Sequence, residues 1–555
     1  MQPCSMPGLS MLTCIRGGRV IDPANGRDGV ADVWISDGRI VATPAGTPAA
    51  DETFDAAGKI VMAGGIDIHS HIAGSNVNTA RLMLPEYHRA SVARPADTPL
   101  AAAGWDTFTT GELYAAMGFT TVVEPAVAPH YALHAHLELA DIPVIDKATL
   151  TVLGNDDFLL ALLREKESDA AIRDYVAWTL DASRGAGIKV INAGGAAAFK
   201  ANVRTFSFDD VVPFYGVSSR AIVKRLQRAV HDAGIPHPLH VHCNNLGLPG
   251  SFETALTTIA AAEDLPLHLA HLQFYAYGIE GPRGFSSAAP RLAEAVNQTR
   301  NVTVDVGQVM FGPTVTISSD VLRQFSARRG ATPKKWVIFD GDSNGGGIVP
   351  YHYRAGNFFN AVQWAAGLEL FLLIDDPWRV FLTTDHPNGG PFTTYPQIIA
   401  LLMSRDLRAE WLAELPAEAV AVTTLPSITR EYSLTEIATM TRAAPARLLG
   451  LKDRGHLGPG ALADIAVYAE GEDRAKMFRA ASLVFKSGAL AVRDGEVIRH
   501  DWGRALSVQP GHDQAIERRM SEYYDARYGL SADLIKVAEE TIDRPEPFER
   551  VPCAG

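Results

Sequence analysis

The chain has 555 residues, 47% hydrophobic and 20% charged, with a formal net charge of −13. That suffices for one large domain with a satellite, and no run of about 18–20 apolar residues marks a membrane span. An acidic balance without a dense basic stretch excludes nucleic acid as the expected partner. The four cysteines, Cys4, Cys14, Cys243 and Cys553, are scattered and form no Cys-x-x-Cys pair. They point to a reducing cytoplasm and against a disulfide framework or a metal cluster held by cysteines. Residues 1–11 have neither a basic start nor an apolar block, so they read as a tail and not a signal peptide, with Met11 a candidate start.

Residues 12–64 alternate short apolar runs with turns, including an Asp37-Gly38 hairpin signal. The same texture returns at 458–498, with Asp494-Gly495 as a second hairpin signal. The expectation is one small β-domain built from both chain ends, 12–64 with 441–500; two unrelated hairpins are the alternative. Between them lies Val61-Met-Ala-Gly-Gly-Ile-Asp-Ile-His-Ser-His-Ile-Ala-Gly74, a short buried strand with its histidines two apart. Seven further strands are expected at 120–124, 143–145, 187–191, 239–242, 267–271, 302–306 and 380–385, with helical segments intervening. Eight strands with helical crossovers predict an α/β fold, a (β/α)8 TIM-like barrel over 65–440 whose site collects at the carboxyl ends of the strands. An open doubly wound sheet is the alternative, but no dinucleotide fingerprint follows the first strand.

Two connections exceed plain loops. One runs from 73 to 111 with Pro85, Pro95 and Pro99, the other from 311 to 377 with Gly341-Asp-Ser-Asn-Gly-Gly-Gly347. Long insertions over a barrel's active face form lids or partner contacts. Residues 501–555 carry a charged helical piece at 514–527 and read as an extension, either a subunit contact or a solvated tail.

The strand ends carry the chemistry. Side chains two apart on a strand share a face, so His69 and His71 converge as two metal ligands would. Lys189 sits inside the apolar run Gly187-Ile-Lys-Val-Ile191, where a charged amine is costly. A salt bridge is one resolution. The other is a neutral amine that takes up carbon dioxide as a carbamate able to bridge two metal ions. The next two strands offer His240 and His242, then His268 and His271. His242 and His271 are expected to be the ligands because they stand last on their strands, leaving His240 and His268 open. Thr383-Thr-Asp-His-Pro387 places Asp385 as the last ligand and as the catalytic proton shuttle. Asn192, Asn244 and Asn245 are candidates for stabilising an oxyanion. Asp67, two before His69, reads as a supporting or buried structural carboxylate.

The ordered set His-x-His, Lys, His, His, Asp resembles the amidohydrolase superfamily, over about residues 12 to 500. That resemblance implies that the small β-domain is a β-sandwich. Three local phrases narrow it: His242-Cys-Asn-Asn-Leu-Gly247, Lys189-Val-Ile-Asn-Ala-Gly-Gly195 and Thr384-Asp-His-Pro-Asn-Gly-Gly-Pro-Phe392. With His271-Leu-Gln-Phe-Tyr275 they look like the A subunits of formylmethanofuran dehydrogenase and of the bacterial formyltransferase/hydrolase complex. Ala193 stands where that family often has proline. The resemblance implies two zinc ions bridged by carboxylated Lys189, and methanofuran as the one-carbon carrier. It also implies hydrolysis of N-formylmethanofuran to formate within a multi-subunit cytoplasmic complex. The alternatives are the formate-condensing A subunit of a molybdenum or tungsten enzyme, and a cyclic-amide hydrolase of the dihydroorotase or hydantoinase type.

Overall fold

β1 (Leu12–Asp22) pairs antiparallel with β2 (Arg27–Ser36), and β2 turns through Asp37-Gly38 into β3 (Arg39–Val41). Both turn residues have positive φ, 51° and 73°, the backbone that an Asp-Gly pair tolerates best in a two-residue hairpin. β4 (Glu52–Asp55) and β5 (Lys59–Ala63) lie parallel to β1. These strands belong to a computed structural model that describes residues 11–46, 49–81, 83–84, 107–203, 206–318, 321–337 and 347–554. Cys4, Pro85, Pro95, Pro99 and most of the glycine-rich run 341–347 lie outside the described residues.

One residue after β5 the chain enters β6 (Gly65–Asp67), followed by β7 (Phe119–Val127), β8 (Asp146–Leu153), β9 (Gly187–Ile191), β10 (Leu239–His242) and β11 (Leu267–Leu269). A small hairpin, β12 (Tyr277–Gly278) with β13 (Ser286–Ser287), precedes β14 (Val302–Asp305). A longer hairpin, β15 (Gly312–Ser318) with β16 (Gly347–Tyr353), precedes β17 (Val380–Phe381). β6, β7, β8, β9, β10, β11, β14 and β17 pair in that order, all parallel. The ends meet beyond the regular strands: Ser70 bridges His386, and the His71 amide donates to the His386 carbonyl at 3.0 Å. The expected (β/α)8 barrel is thus the observed fold. One strand is displaced. The run 143–145 is a loop, because Val144 has φ 68° and gives its N–H to the Asp501 carbonyl, so the third strand begins at Asp146.

β18 (Ile465–Ala469) pairs antiparallel with β5, setting Val467 opposite Val61, and continues into β19 (Leu483–Lys486), β20 (Ala489–Arg493) and β21 (Glu496–Val497). Both chain ends therefore share one nine-stranded mixed sheet with its own apolar core of Ile15, Val33, Phe54, Ile465 and Phe485. β22 (Ala505–Ser507) and β23 (Phe548–Arg550) add to the barrel itself. β22 runs parallel to Lys147 and Ala148 of β8, the edge left open because β9 pairs only from Leu150 onward. The C-terminal stretch packs on this chain's own barrel through these two strands. Among the described residues no helix is long and apolar enough to cross a membrane.

Candidate metal centre

The chain leaves β6 through His69 and His71, and each imidazole is held from behind by a carboxylate. His69 Nδ1 lies 2.9 Å from Asp305 Oδ2, and His71 Nδ1 lies 3.0 Å from Glu124 Oε1. A carboxylate on one ring nitrogen fixes the proton there and turns the other nitrogen into an acceptor. Both free nitrogens then face one atom: Asp385 Oδ1 is 3.1 Å from His69 Nε2 and 3.4 Å from His71 Nε2. Three ligand-type atoms converge at a largely buried point, and Asp385 Oδ1 makes no hydrogen bond there. Burial opposes a charge on His71, yet Glu124 and Asp385 together push it up to about 9. The site draws a positive charge to this point, which is the fit expected of a cation.

Lys189 rises from the middle of β9, buried, with Nζ 3.5 Å from His69 Nε2. Burial lowers its amine to about 8, within reach of the neutral form a carbamate requires. On its other side stand His242 and His271, their ring centroids 4.7 Å apart, with the His271 ring 5.3 Å from that of His69. His271 Nδ1 is buried with no hydrogen-bond partner, an orphaned ring nitrogen that fits a metal-ligating role. His271 and Asp385 both hold left-handed backbone, φ 34° and 52°, where the strands turn outward. Such strain at non-glycine residues marks a site that its surroundings hold in place.

All six expected ligands, His69, His71, Lys189, His242, His271 and Asp385, line one cavity of about 440 Å³ at the carboxyl ends of the barrel strands. His240 and His268 lie one layer deeper. His268 Nε2 is 3.0 Å from Asp305 Oδ2, and His240 Nε2 is 3.1 Å from His69 Nδ1. The three asparagines do not line the cavity. The Asn244 amide donates to Asn192 Oδ1 and Ser219 Oγ, and the Asn245 amide donates to Thr254 Oγ1, so they brace the loops after β9 and β10. In their place the lining has Lys335 and Asn388. Asp67 is a structural carboxylate, accepting from Tyr114 and Tyr395 hydroxyls at 2.8 and 2.6 Å and from the His69 amide. Glu124 and Asp305 went unassigned in the sequence, although each is an acid inside an apolar strand, the cue that singled out Lys189.

The amidohydrolase family profile matches residues 52–498, carried by the same strands that bear these ligands. The chain belongs to the amidohydrolase family. This amidohydrolase is 52% identical to the A subunit of the formyltransferase/hydrolase complex Fhc of Methylorubrum extorquens, over 98% of this chain and 100% of that one. It is 38% identical to protein FwdA of Methanocaldococcus jannaschii, over 95% of this chain and 96% of that one. Its fold superposes with a TM-score of 0.92 on a chain in the crystal structure of the FhcABCD complex of Methylorubrum extorquens with methylofuran. The two share 53% identity over 98% of this chain and 100% of that one.

Proposed function

We propose that this amidohydrolase hydrolyses the formyl amide of an N-formylmethanofuran-type carrier to formate and the free amine. It would serve as the catalytic hydrolase component of a cytoplasmic formyltransferase/hydrolase complex. The observation that carries the reading is the convergence of Asp385 Oδ1 on the two histidine nitrogens, beside buried Lys189 and the His242–His271 pair. Full-length identity to the Fhc relative supports the choice of substrate.

His69, His71 and Asp385 would hold one zinc ion, and His242 and His271 a second. Lys189, carboxylated on Nζ, would join the two. The carbamate forms when the neutral amine attacks carbon dioxide and gives up one proton. When bound, the ions would polarise the formyl oxygen and bring the pKa of an attacking water toward neutrality. Asp385 takes the proton from that water as its oxygen bonds to the formyl carbon, then hands it to the nitrogen as the C–N bond breaks. Thr383 Oγ1, accepting from the Asp385 amide at 2.8 Å, and the left-handed backbone keep the carboxylate aimed at this position. For the developing oxyanion the lining offers Lys335 and Asn388, whereas Asn192, Asn244 and Asn245 do not line the cavity.

The test is formate release from an N-formylmethanofuran-type substrate by the full chain, purified with any other proteins that accompany it and loaded with zinc. Wild type should release formate with two zinc ions per chain. Asp385→Asn should keep its fold while turnover falls at least about 100-fold. Zinc-replete protein that releases no formate, or that opens cyclic imides instead, would overturn the proposal.

A further inference from the structure

Asp305, near the carboxyl end of β14, is fully buried and gathers more of the centre than any supporting side chain described above. Its Oδ2 meets His69 Nδ1 at 2.9 Å and His268 Nε2 at 3.0 Å, with His240 Nε2 at 3.4 Å. Its Oδ1 accepts the backbone N–H of His271 at 2.6 Å. His271, like Asp385, is a ligand candidate in left-handed backbone, so this bond ties down one of the strained turns of the site. One oxygen therefore orients a histidine facing Asp385, and the other pins the backbone of a histidine paired with His242. Glu124 differs. Its oxygens take His71 Nδ1 and the amides of Ile72, Ala73 and Ala126, all on the β6 and β7 side.

We propose that Asp305 is a positioning residue that couples the two halves of the metal centre, holding His69 for one half and His271 for the other, whereas Glu124 serves one half alone. This rests on the binuclear reading above. A carboxylate behind a metal-ligating histidine is typically worth about 10–100-fold in metal affinity. Shared between two halves, that loss must appear in both together.

The experiment follows zinc release from the full chain to a chromogenic chelator, with wild type, Asp305→Asn, Asp305→Glu and Glu124→Gln compared side by side. Wild type must first show two zinc ions per chain; fewer would sink the binuclear reading itself, before any variant is considered. In Asp305→Asn both ions should leave about 10–100-fold faster. In Glu124→Gln one ion should leave faster and the other at the wild-type rate. The visible spectrum of the cobalt-substituted protein should change in band position in Asp305→Asn, which a purely structural lesion that leaves the ligands aimed would not cause. Should Asp305→Asn fail to fold, Asp305→Glu keeps the charge but displaces it, and the same paired acceleration is expected there. Release of either ion at the wild-type rate in a folded Asp305 variant overturns the coupling.

Discussion

At the scale of single residues, the legible part of the site is the lysine and the histidines that stand in apolar strands. Lys189 in an apolar strand and the histidines two apart stand out because burying them unpaired is unfavourable. We expect Lys189→Ala to lose zinc and turnover, with partial rescue by small carboxylic acids that take the carbamate's place; unchanged metal content by elemental analysis would remove the carbamate. The same cue is present at Glu124 and Asp305, but the sequence does not say which acid meets which imidazole across a barrel. That pairing depends on strand order and stagger, here His69 against Asp305 from the opposite half of the chain. A second buried lysine gives a prediction far from the metal centre. Lys147 Nζ donates to the carbonyls of Ile142 and Gly503 at 3.0 and 2.9 Å, and burial lowers it from 10.5 to about 7. The unfolded chain then binds more protons than the folded one between those values, so this lysine's contribution to stability rises with pH across that window. Replacing it in Lys147→Met should flatten the rise by about 2 kcal/mol between pH 7 and 9, seen as urea midpoints that climb less than those of wild type. Parallel pH profiles would show that the amine does not titrate there.

At the scale of elements, the hairpins were readable because Asp-Gly has a specific backbone consequence, and both turns show it. The third barrel strand lies further along than its composition suggests, because the apolar, β-branched Val144 and Ile145 resemble a strand by residue type alone. What redirects them is a long-range bond, from the Val144 amide to Asp501, 357 residues away in sequence. The handover between the mixed sheet and the barrel is tighter still. Gly64 lies between β5 and β6, and a Cβ there would fall 2.2 Å from Thr120 Oγ1 and 2.5 Å from Thr120 Cγ2 on β7. Thr120 is buried within a strand and cannot swing away, so the added methyl must push the two strands apart. Gly64→Ala should cost about 1–3 kcal/mol, the usual range for overpacking. Because His69 and His71 hang from the same short strand, zinc retention should fall along with the melting temperature. A wild-type melting temperature in the variant would mean that the junction has slack.

At the scale of the molecule, three parts of the chain that are remote in sequence meet in one buried charge network. Lys486 at the end of β19 reaches Asp146 Oδ2 at the start of β8 at 2.7 Å and Asp464 Oδ2 at 2.6 Å. Arg454 joins Asp146 at 3.0 Å and Glu549 of β23 at 2.7 Å. Burial alone would raise Asp146, but Lys486 and Arg454 hold it well below the usual carboxylate range. The network thus ties the mixed sheet, the barrel and the C-terminal strands at one point. A buried pair adds little over an apolar replacement, yet removing one partner strands the other charge. Lys486→Met leaves the Asp464 carboxylate with its amide contact from Ser487 and no cation at Oδ2, and strips Asp146 of one of its two. The expected loss is about 3–5 kcal/mol in urea unfolding at pH 7. Removing the opposing charges as well, in a variant carrying Asp464→Asn and Asp146→Asn with Lys486→Met, should recover part of that loss. If Lys486→Met unfolds at the wild-type urea concentration, the network does not hold the three parts together, and the C-terminal strands are held to the barrel by pairing between β8 and β22.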